Sequence, residues 1–181
     1  MDRARAVAAR DARVNAVAAD LAVRPARGDD AARLAEIWNV EATTTLNTTD
    51  TEARDAGAQR AWLASHSPSY PVLVATAADR VAGYAALSPY RPKPAFRRTV
   101  EDSVYVDRAW RGRGVGHLLV AQLVAVARDL GHHSVIARIT ADNVASRRLH
   151  ETIGFRLVGV EEAVAFKLGR WIDVAAYQLR L

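Results

Sequence analysis

Residues 99–116, TVEDSVYVDRAWRGRGVG, contain the amino acids best suited to chemistry in this 181-residue chain. Their first half is typical of a β-strand, because valine and tyrosine recur and nothing up to Val106 breaks the run. Glycines then stand at 112, 114 and 116, and an apolar helical pattern begins at Val115. Glycine lets backbone N–H groups approach an anion closely, and a helix N-terminus favours negative charge. A strand, a glycine-rich turn and a helix in this order predict a phosphate-binding site.

Seven consecutive residues supply the donors of this predicted site: Arg111, Gly112, Arg113, Gly114, Val115, Gly116 and His117. A Walker loop is excluded, because neither Gly-Lys-Ser nor Gly-Lys-Thr ends the segment. A dinucleotide-binding loop is also excluded, because the glycines are spaced two apart and lie in mid-chain instead of following a first strand. The phosphate site must therefore belong to another class.

The same predicted strand carries two adjacent carboxylates, Glu101 and Asp102. Strand alternation places Glu101 on one face with Ser103 and Tyr105, and Asp102 on the other face with the valines. Burying a carboxylate in an apolar strand is unfavourable unless the group is paired or used. We therefore predict that Glu101 is a general base and that Asp102 is structural or orients a substrate. An ion pair between Glu101 and a neighbouring arginine is the alternative.

The composition limits the class of protein. The absence of cysteine excludes disulfides, thiolate metal sites and a cysteine nucleophile, and it favours a reducing cytoplasm. No apolar run approaches the ~20 residues that span a bilayer, so we predict no membrane contact. The net charge of +5 raises nucleic acid as a partner, but the arginines are scattered along the chain, which predicts no nucleic-acid binding. The remaining histidines lack metal-ligand spacing, so no metal is expected.

The patterning divides the chain into an extension and one domain. Residues 1–20 are rich in alanine and arginine and are predicted to be a helical or disordered extension, whereas residues 21–181 form the domain. Its elements follow the order β-α-α-β-β-β-α-β-α-β-β. The strands are predicted at residues 21–26, 70–76, 81–87, 99–106, 134–140, 155–160 and 171–181. The helices are predicted from 30 to about 40, at 52–65, at 115–130 and from 142 or 143 to 154, with 43–51 a loop and 161–170 separating the last two strands.

This order and six segments resemble the GNAT (GCN5-related N-acetyltransferase) superfamily. Within it the chain is similar to the phosphinothricin acetyltransferase family, which includes relatives acting on methionine sulfone and methionine sulfoximine. The six segments are YPVLVA (70–75), SPYR (88–91), TVEDSVYV (99–106), the R-x-x-G-x-G loop (111–116), AxNxxSxxLHExxGF (141–155) and KxGRWxD (167–173). The resemblance covers roughly residues 22–181. It implies an α/β GNAT fold, with a mixed central β-sheet flanked by helices, and acetyl-CoA as co-substrate.

The resemblance also implies roles for single residues. The backbone of Val104, Tyr105 and Val106 would pair with the pantetheine arm and polarise the thioester, and the loop at 111–117 would hold the diphosphate. His150 would be a general acid, with a hydrogen bond inside the core as its alternative. Asn143 and Ser146 would contact the CoA arm, and the alternative role for both is helix capping. The expected substrate-binding residues are Arg91, whose planar fork suits a carboxylate, with Pro92, Lys93, Thr99, Glu101, Asp102 and Ser103. Lys167 and Trp171 would wall or seal the site, at a dimer contact.

Four positions depart from the family pattern near the expected acceptor pocket: Glu41, Thr49, Phe96 and Arg98. They leave the acetyl-CoA site intact and leave the acceptor open. The resemblance implies a cytoplasmic, homodimeric N-acetyltransferase in which the α-amine of a small amino acid or amino-acid-like toxin attacks acetyl-CoA directly in a ternary complex. The alternatives are another amine, such as an antibiotic, a polyamine or a protein N-terminus, and a non-catalytic acyl-CoA-binding protein.

Overall fold

The computed structural model describes residues 21–78 and 80–181. The predicted extension, residues 1–20, lies outside the described residues. Seven strands form one sheet in the order β1-β2-β3-β4-β5-β7-β6, and all neighbours are antiparallel except β4 and β5, which are parallel. The strands are β1 (Leu21–Pro25), β2 (Val72–Ala77), β3 (Arg80–Pro89), β4 (Thr99–Val106), β5 (Ser134–Thr140), β6 (Arg156–Lys167) and β7 (Arg170–Arg180).

Helices cover both faces of the sheet. Within the described residues they are α1 (Ala31–Thr44), α2 (Ala56–Ala64), α3 (Val115–Asp129) and α4 (Val144–Ile153). Neighbouring residues of β3 show the alternation of a doubly covered sheet, since Tyr84 packs with Leu34 of α1 and Ala85 belongs to the core beneath α3. The α/β class, the mixed sheet and the order of elements are as the sequence predicts.

Two elements differ from their predicted bounds in ways that matter for the site. Helix α1 runs to Thr44 instead of about residue 40, and the hydroxyls of Thr43 and Thr44 donate to the carbonyls of Asn39 and Val40 at 2.7 and 2.6 Å. Helix α2 begins at residue 56 instead of 52, because the Asp55 side chain accepts from the N–H of residue 58 at 2.7 Å and caps it there.

The prediction that residues 161–170 separate the last two strands is wrong. Strand β6 continues to Lys167 and turns into β7 through Leu168 and Gly169, which both have positive φ. A bulge near Ala163, with φ 48°, shifts the register of the pair. Strand β6 is the edge of the sheet and is exposed along almost its whole length, so no alternation of burial marks it in the sequence.

The sheet opens in its middle. Strands β4 and β5 pair only from Thr99 with Ser134 to Asp102 with Ala137, although β5 stays paired with β7 along all of its residues. Beyond Asp102 the two parallel strands part, and residues 103–106 lose their neighbour on that side. This gap, and the packing of α3 beside it, positions the cavity described below.

The close approach of β3 to β4 predicts that Gly83→Ala destabilises the protein. An added Cβ would lie 2.8 Å from the carbonyl oxygen of Tyr105 and 3.2 Å from the Cα of Val106, so the backbone of β4 would have to move. We expect the free energy of unfolding, measured by urea titration, to fall by about 1–3 kcal/mol. Gly28→Ala is the control, because no heavy atom lies within 4 Å of its added Cβ. Equal stability of the two variants would contradict this packing argument.

Candidate active site

A cavity of about 600 Å³ occupies the gap between β4 and β5. Its walls come from the parted strands, the first turn of α3, one side of α4 and the loop after α1. Gly112, Gly114 and Gly116 line it, and so do Glu101 and the loop residues 47–50. One continuous cavity therefore joins the predicted phosphate seat to the predicted base.

The phosphate end has the geometry that an anion requires. Gly114 is the N-cap of α3 in the left-handed region at φ 82°, and no side chain caps the helix. The first backbone bond of the helix runs from the N–H of Leu118 to the carbonyl of Gly114 at 3.0 Å, so the N–H groups of residues 115–117 have no acceptor within the helix. Gly112 also has positive φ, at 71°. These residues fit the diphosphate of a CoA molecule.

The arginines of this loop are placed differently from each other. The guanidinium of Arg111 donates to Glu41 Oε1 at 2.5 Å and to the carbonyl of Val106 at 3.2 Å, so this side chain ties the loop to α1 and β4. Arg113 lies over the ring of Trp110, 5.1 Å from its centroid, and is not part of the cavity wall. Backbone N–H groups, more than arginine side chains, form the seat itself.

The edge of β4 crosses the cavity from the base to the phosphate seat. Residues 103–106 line it, and beyond Asp102 no strand of residues 21–78 and 80–181 pairs with this edge. An extended chain with its own amide groups can bond to such an edge as an added strand would. The side chain of Tyr105 is turned away into the core, where its ring packs against Trp38 at 5.0 Å and Tyr84 at 5.2 Å.

Glu101 has the environment of a base. Its carboxyl lines the cavity, and no side chain of the described residues is hydrogen bonded to it. Burial raises the pKa of this carboxyl, and the Asp102 charge raises it further, whereas the guanidinium of Arg138 lowers it. The net pKa lies above the ordinary value for glutamate, which suits a group that must accept a proton near neutral pH.

Asp102 and His150 form a buried pair on the other face of β4. His150 Nε2 lies 3.0 Å from Asp102 Oδ2, and Nδ1 lies 2.7 Å from the carbonyl of Ser146. A carbonyl only accepts, so Nδ1 carries a proton, and a further proton lies between Nε2 and Oδ2. Burial lowers the pKa of His150, but the hydrogen bond and charge of Asp102 outweigh burial and raise it overall. The other oxygen of Asp102, Oδ1, is buried without a hydrogen-bond partner in the described part of the chain.

The comparisons with known proteins agree with this geometry. Residues 32–155 match the model of the Acetyltransferase (GNAT) family. The chain is 38% identical over 162 residues to the L-amino acid N-acyltransferase MnaT of Escherichia coli strain K12, covering 89% of this chain and 94% of that one. It is 41% identical over 166 residues to a phosphinothricin N-acetyltransferase of Streptomyces coelicolor, covering 88% and 96%. The structure of yncA from Salmonella typhimurium with its cofactor acetyl-CoA superposes with a TM-score of 0.87 at 36% identity, covering 90% and 94%.

The chain belongs to the GNAT acetyltransferase family. It is an acetyl-CoA-dependent N-acetyltransferase. In this acetyltransferase the cavity offers an unpaired edge of β4 and an uncapped start of α3.

The structure brings many of the predicted site residues to this cavity but not all of them. Its walls include Glu101, Asp102, Ser103, Val104, Tyr105, Val106, Arg111, Gly112, Gly114, Val115, Gly116, His117, Asn143, Ser146 and His150. Asn143 also caps α4, since its Oδ1 accepts from the N–H of Ser146 at 3.1 Å, so the capping role is present too.

Arg91, Pro92, Lys93 and Thr99 lie outside the cavity wall. Arg91 is on the surface, where its guanidinium lies 5.0 Å from the ring centroid of Tyr90 and 6.0 Å from that of Phe96. The ring of Tyr90 and that of Phe96 pack edge to face at 5.6 Å. Arg91, expected to bind the substrate, and Phe96, a departure from the family pattern, thus belong to one cluster outside the cavity wall.

Lys167 ties the loop after α1 to the end of β6. Its ammonium, which is almost fully buried, donates to the carbonyls of Glu41 at 3.1 Å and Thr48 at 2.8 Å. Burial lowers the pKa of Lys167. Glu41 is buried as well; burial raises the pKa of its carboxyl, but hydrogen bonds from Asn47, Arg111 and Thr45 outweigh burial and lower it. Trp171, predicted beside Lys167, is 64% exposed and lies outside the cavity wall.

Sequence reasoning missed several residues of the cavity wall, among them Trp110, Arg138, Arg148 and Thr152. A signal existed for Arg138, which is the one charged residue in the apolar run SVIARIT. Arg148 and Thr152 carry no local signal, because they reach the cavity only when α4 packs beside α3. Within the described ranges, no group of three histidine, aspartate or glutamate residues could hold a metal ion, and no helix is long and apolar enough to cross a membrane.

The buried pair predicts how His150 titrates. The imidazole of His150 should titrate above the ordinary pKa of about 6.5, and Asp102→Asn should lower that value, because the partner charge is lost. Because the folded-state pKa is raised, the stabilisation from this charge is fully present below about pH 6.5 and is lost as pH rises through the folded value. NMR titration of the histidine C–H signals measures the first effect, and unfolding at several pH values measures the second. Asp129→Asn, an exposed carboxylate, is the control; an equal effect of both variants would contradict the pairing.

Proposed function

We propose that this acetyltransferase transfers acetyl from acetyl-CoA to the α-amine of a small amino acid or amino-acid-like toxin. The observation that carries the proposal is the continuous cavity in which the unpaired edge of β4 leads from Glu101 to the uncapped N-terminus of α3. The relatives support the acceptor class, since one is named for L-amino acids and another for phosphinothricin. A cytoplasmic location is part of the proposal and agrees with a chain that has no cysteine.

Each part of the cavity has one task in this proposal. Backbone N–H groups of residues 112–117 hold the diphosphate of acetyl-CoA, with His117 beside them, and the edge of β4 at residues 104–106 holds the pantetheine arm. Acetyl-CoA supplies the acetyl thioester, whose carbonyl carbon is the electrophile. Asn143 and Ser146 contact the arm from α4. Both substrates are bound together, and the amine attacks directly, since the chain has no cysteine to carry an acyl group.

Glu101 accepts the proton that the acceptor ammonium must lose, directly or through a water molecule. Its raised pKa and the absence of a hydrogen-bonded partner in the described residues support this role.

The Asp102–His150 pair lies on the other face of β4 and holds a proton between Nε2 and Oδ2. The raised pKa of His150 keeps that proton bound near neutral pH. We assign to this pair the proton that the CoA thiolate takes. Ser103 and the loop residues Thr49 and Asp50 complete the acceptor end.

The test is thiol release from acetyl-CoA with methionine sulfone, methionine sulfoximine, phosphinothricin, the common amino acids and spermidine. We expect turnover on an amino acid or a glutamate-like analogue, and Glu101→Gln should lower kcat about 100- to 10,000-fold while acetyl-CoA affinity changes little. Glu36→Gln, an exposed carboxylate on α1, is the control. Turnover confined to spermidine would favour another amine as acceptor. Acetyl-CoA binding without turnover on any amine would favour a non-catalytic acyl-CoA-binding protein.

The raised pKa of Glu101 predicts the pH profile of the wild-type enzyme. The base works only when ionised, so kcat/KM should fall as pH drops through a value above the ordinary glutamate range of about 4.3. The same limb should be absent in Glu101→Gln. An acid limb at the ordinary glutamate value would contradict the environment described for Glu101.

We also propose that the enzyme is a homodimer, as the family resemblance implies. The exposed edge of the sheet supports this, because β6 and the start of β7 present a row of apolar side chains: Leu157, Val158, Val160, Val164, Phe166, Leu168 and Trp171. Phe166 and Trp171 pack edge to face with centroids 5.3 Å apart, and both are more than half exposed. A long apolar edge strand in water normally needs a cover.

Phe166→Asp should shift the protein from dimer to monomer in analytical ultracentrifugation, because a charge would replace apolar contact area. Leu130→Asp is the matched control, since Leu130 is a similarly exposed apolar residue at the end of α3, away from this edge. A wild-type protein that is monomeric at high concentration would contradict the proposal. So would a dimer that Phe166→Asp leaves intact.

A further inference from the structure

Arg138 is a charged side chain of the cavity wall that the chemistry above does not use. It stands in β5, and the six other residues of that strand are buried. Strand β5 lies inside the sheet between β4 and β7. Arg138 is the residue of β5 that follows the last pair with β4, and it belongs to the cavity wall.

The face of the sheet places Arg138 at the acceptor end. Val135 and Ile139 belong to the core beneath α3, so Arg138 points to the opposite face, which is the face of Glu101. The two charges are close enough for the guanidinium to lower the pKa of the Glu101 carboxyl, and Arg138 does so more strongly than Arg91. The base and a cation therefore share one end of the cavity.

The partner of Arg138 is easily replaced. Its two terminal nitrogens donate to Glu161 of β6, Nη1 to Oε1 at 3.4 Å and Nη2 to Oε2, and no other side chain in residues 21–78 and 80–181 bonds to them. Both members of the ion pair are solvent-accessible, with side-chain exposures of 32% and 45%. Ion pairs of this kind contribute little to stability. A carboxylate that arrives in the cavity can therefore take the place of Glu161 on the same planar fork.

The chemistry of an α-amino acid requires such a cation. Its ammonium and its carboxylate are joined through one carbon atom, so when the nitrogen lies at Glu101 the carboxylate must lie only a few ångströms away. Arg91, the residue expected for this role from the sequence, lies on the surface outside the cavity wall. Arg138 lies in the wall, on the face of the base.

We propose that Arg138 binds the α-carboxylate of the acceptor in exchange for Glu161. It thereby selects α-amino acids over amines that lack a carboxylate. The inference rests on the proposed function, because it concerns the acceptor of the same site. Glu161 then competes with the substrate carboxylate for the Arg138 guanidinium. This competition lowers the affinity of the site for the substrate.

The experiment compares the best amino-acid acceptor of the panel with its carboxamide, which keeps the amine and removes the negative charge. Arg138→Ala should raise KM for the acid roughly 10- to 100-fold and change KM for the carboxamide little, with kcat at saturation less affected. Arg138→Lys should fall between wild type and Arg138→Ala, because a point charge lacks the planar fork. Glu161→Gln should lower KM for the acid. Arg128→Ala, an exposed arginine on α3, is the control and should change neither.

Two results would overturn the inference while the proposed function stands. One is an unchanged KM for the acid in Arg138→Ala, or an equal rise for acid and carboxamide. The other is a rise in KM for the acid alone in Arg91→Ala with no such rise in Arg138→Ala.

If no amine turns over, calorimetry separates the two proposals. It measures the binding of the free amino acid to protein saturated with CoA. Binding that is lost in Arg138→Ala would then support the inference and count against the proposed function. No binding, or binding that Arg138→Ala leaves unchanged, would overturn both.

Discussion

The parting of β4 and β5 is the constraint on which the rest of the site depends. The two strands pair only over residues 99–102 and 134–137, yet β4 stays bonded to β3 and β5 to β7 on their outer sides. The sheet thus opens along one seam without losing its order. Backbone groups left unpaired inside a protein are unfavourable, so the seam favours an occupant with amide groups of its own, and the pantetheine arm of acetyl-CoA is such an occupant.

The same seam explains why two adjacent carboxylates have different chemistry. Strand alternation sends Asp102 towards α4, where His150 meets it at 3.0 Å, and sends Glu101 to the other face, where no side chain of the described residues bonds to it. A paired carboxylate in the core holds a proton with its partner, whereas an unpaired one at the cavity is free to accept a proton. Arg138 lines the same cavity from β5, just beyond the last residue that pairs with β4.

The polar contacts around the cavity join parts that are far apart in the chain. Lys167 on β6 bonds to the carbonyls of Glu41 and Thr48, more than a hundred residues earlier, and Arg111 of the phosphate loop bonds to the Glu41 carboxylate. The loop after α1, the glycine-rich loop and the end of β6 are therefore joined by polar contacts. Glu41, a departure from the family pattern, makes two of them, through its carboxylate to Arg111 and its carbonyl to Lys167.

Local patterns in the sequence were enough to predict the order of the elements, the glycine-rich turn before a helix and the alternation of Glu101 and Asp102. These depend on residues within a few positions of each other, such as the glycines at 112 and 114 and the helix that follows. The family resemblance added the class of the fold and acetyl-CoA. Only the tertiary structure decided which side chains line the cavity, because that depends on where two strands part and which elements pack across the gap. For this reason Arg91, in a surface loop, lies outside the cavity wall, and Arg138, inside an apolar strand, lies in it. The length of β6 was hidden for a related reason, since an exposed edge strand has no buried face to give its sequence a period.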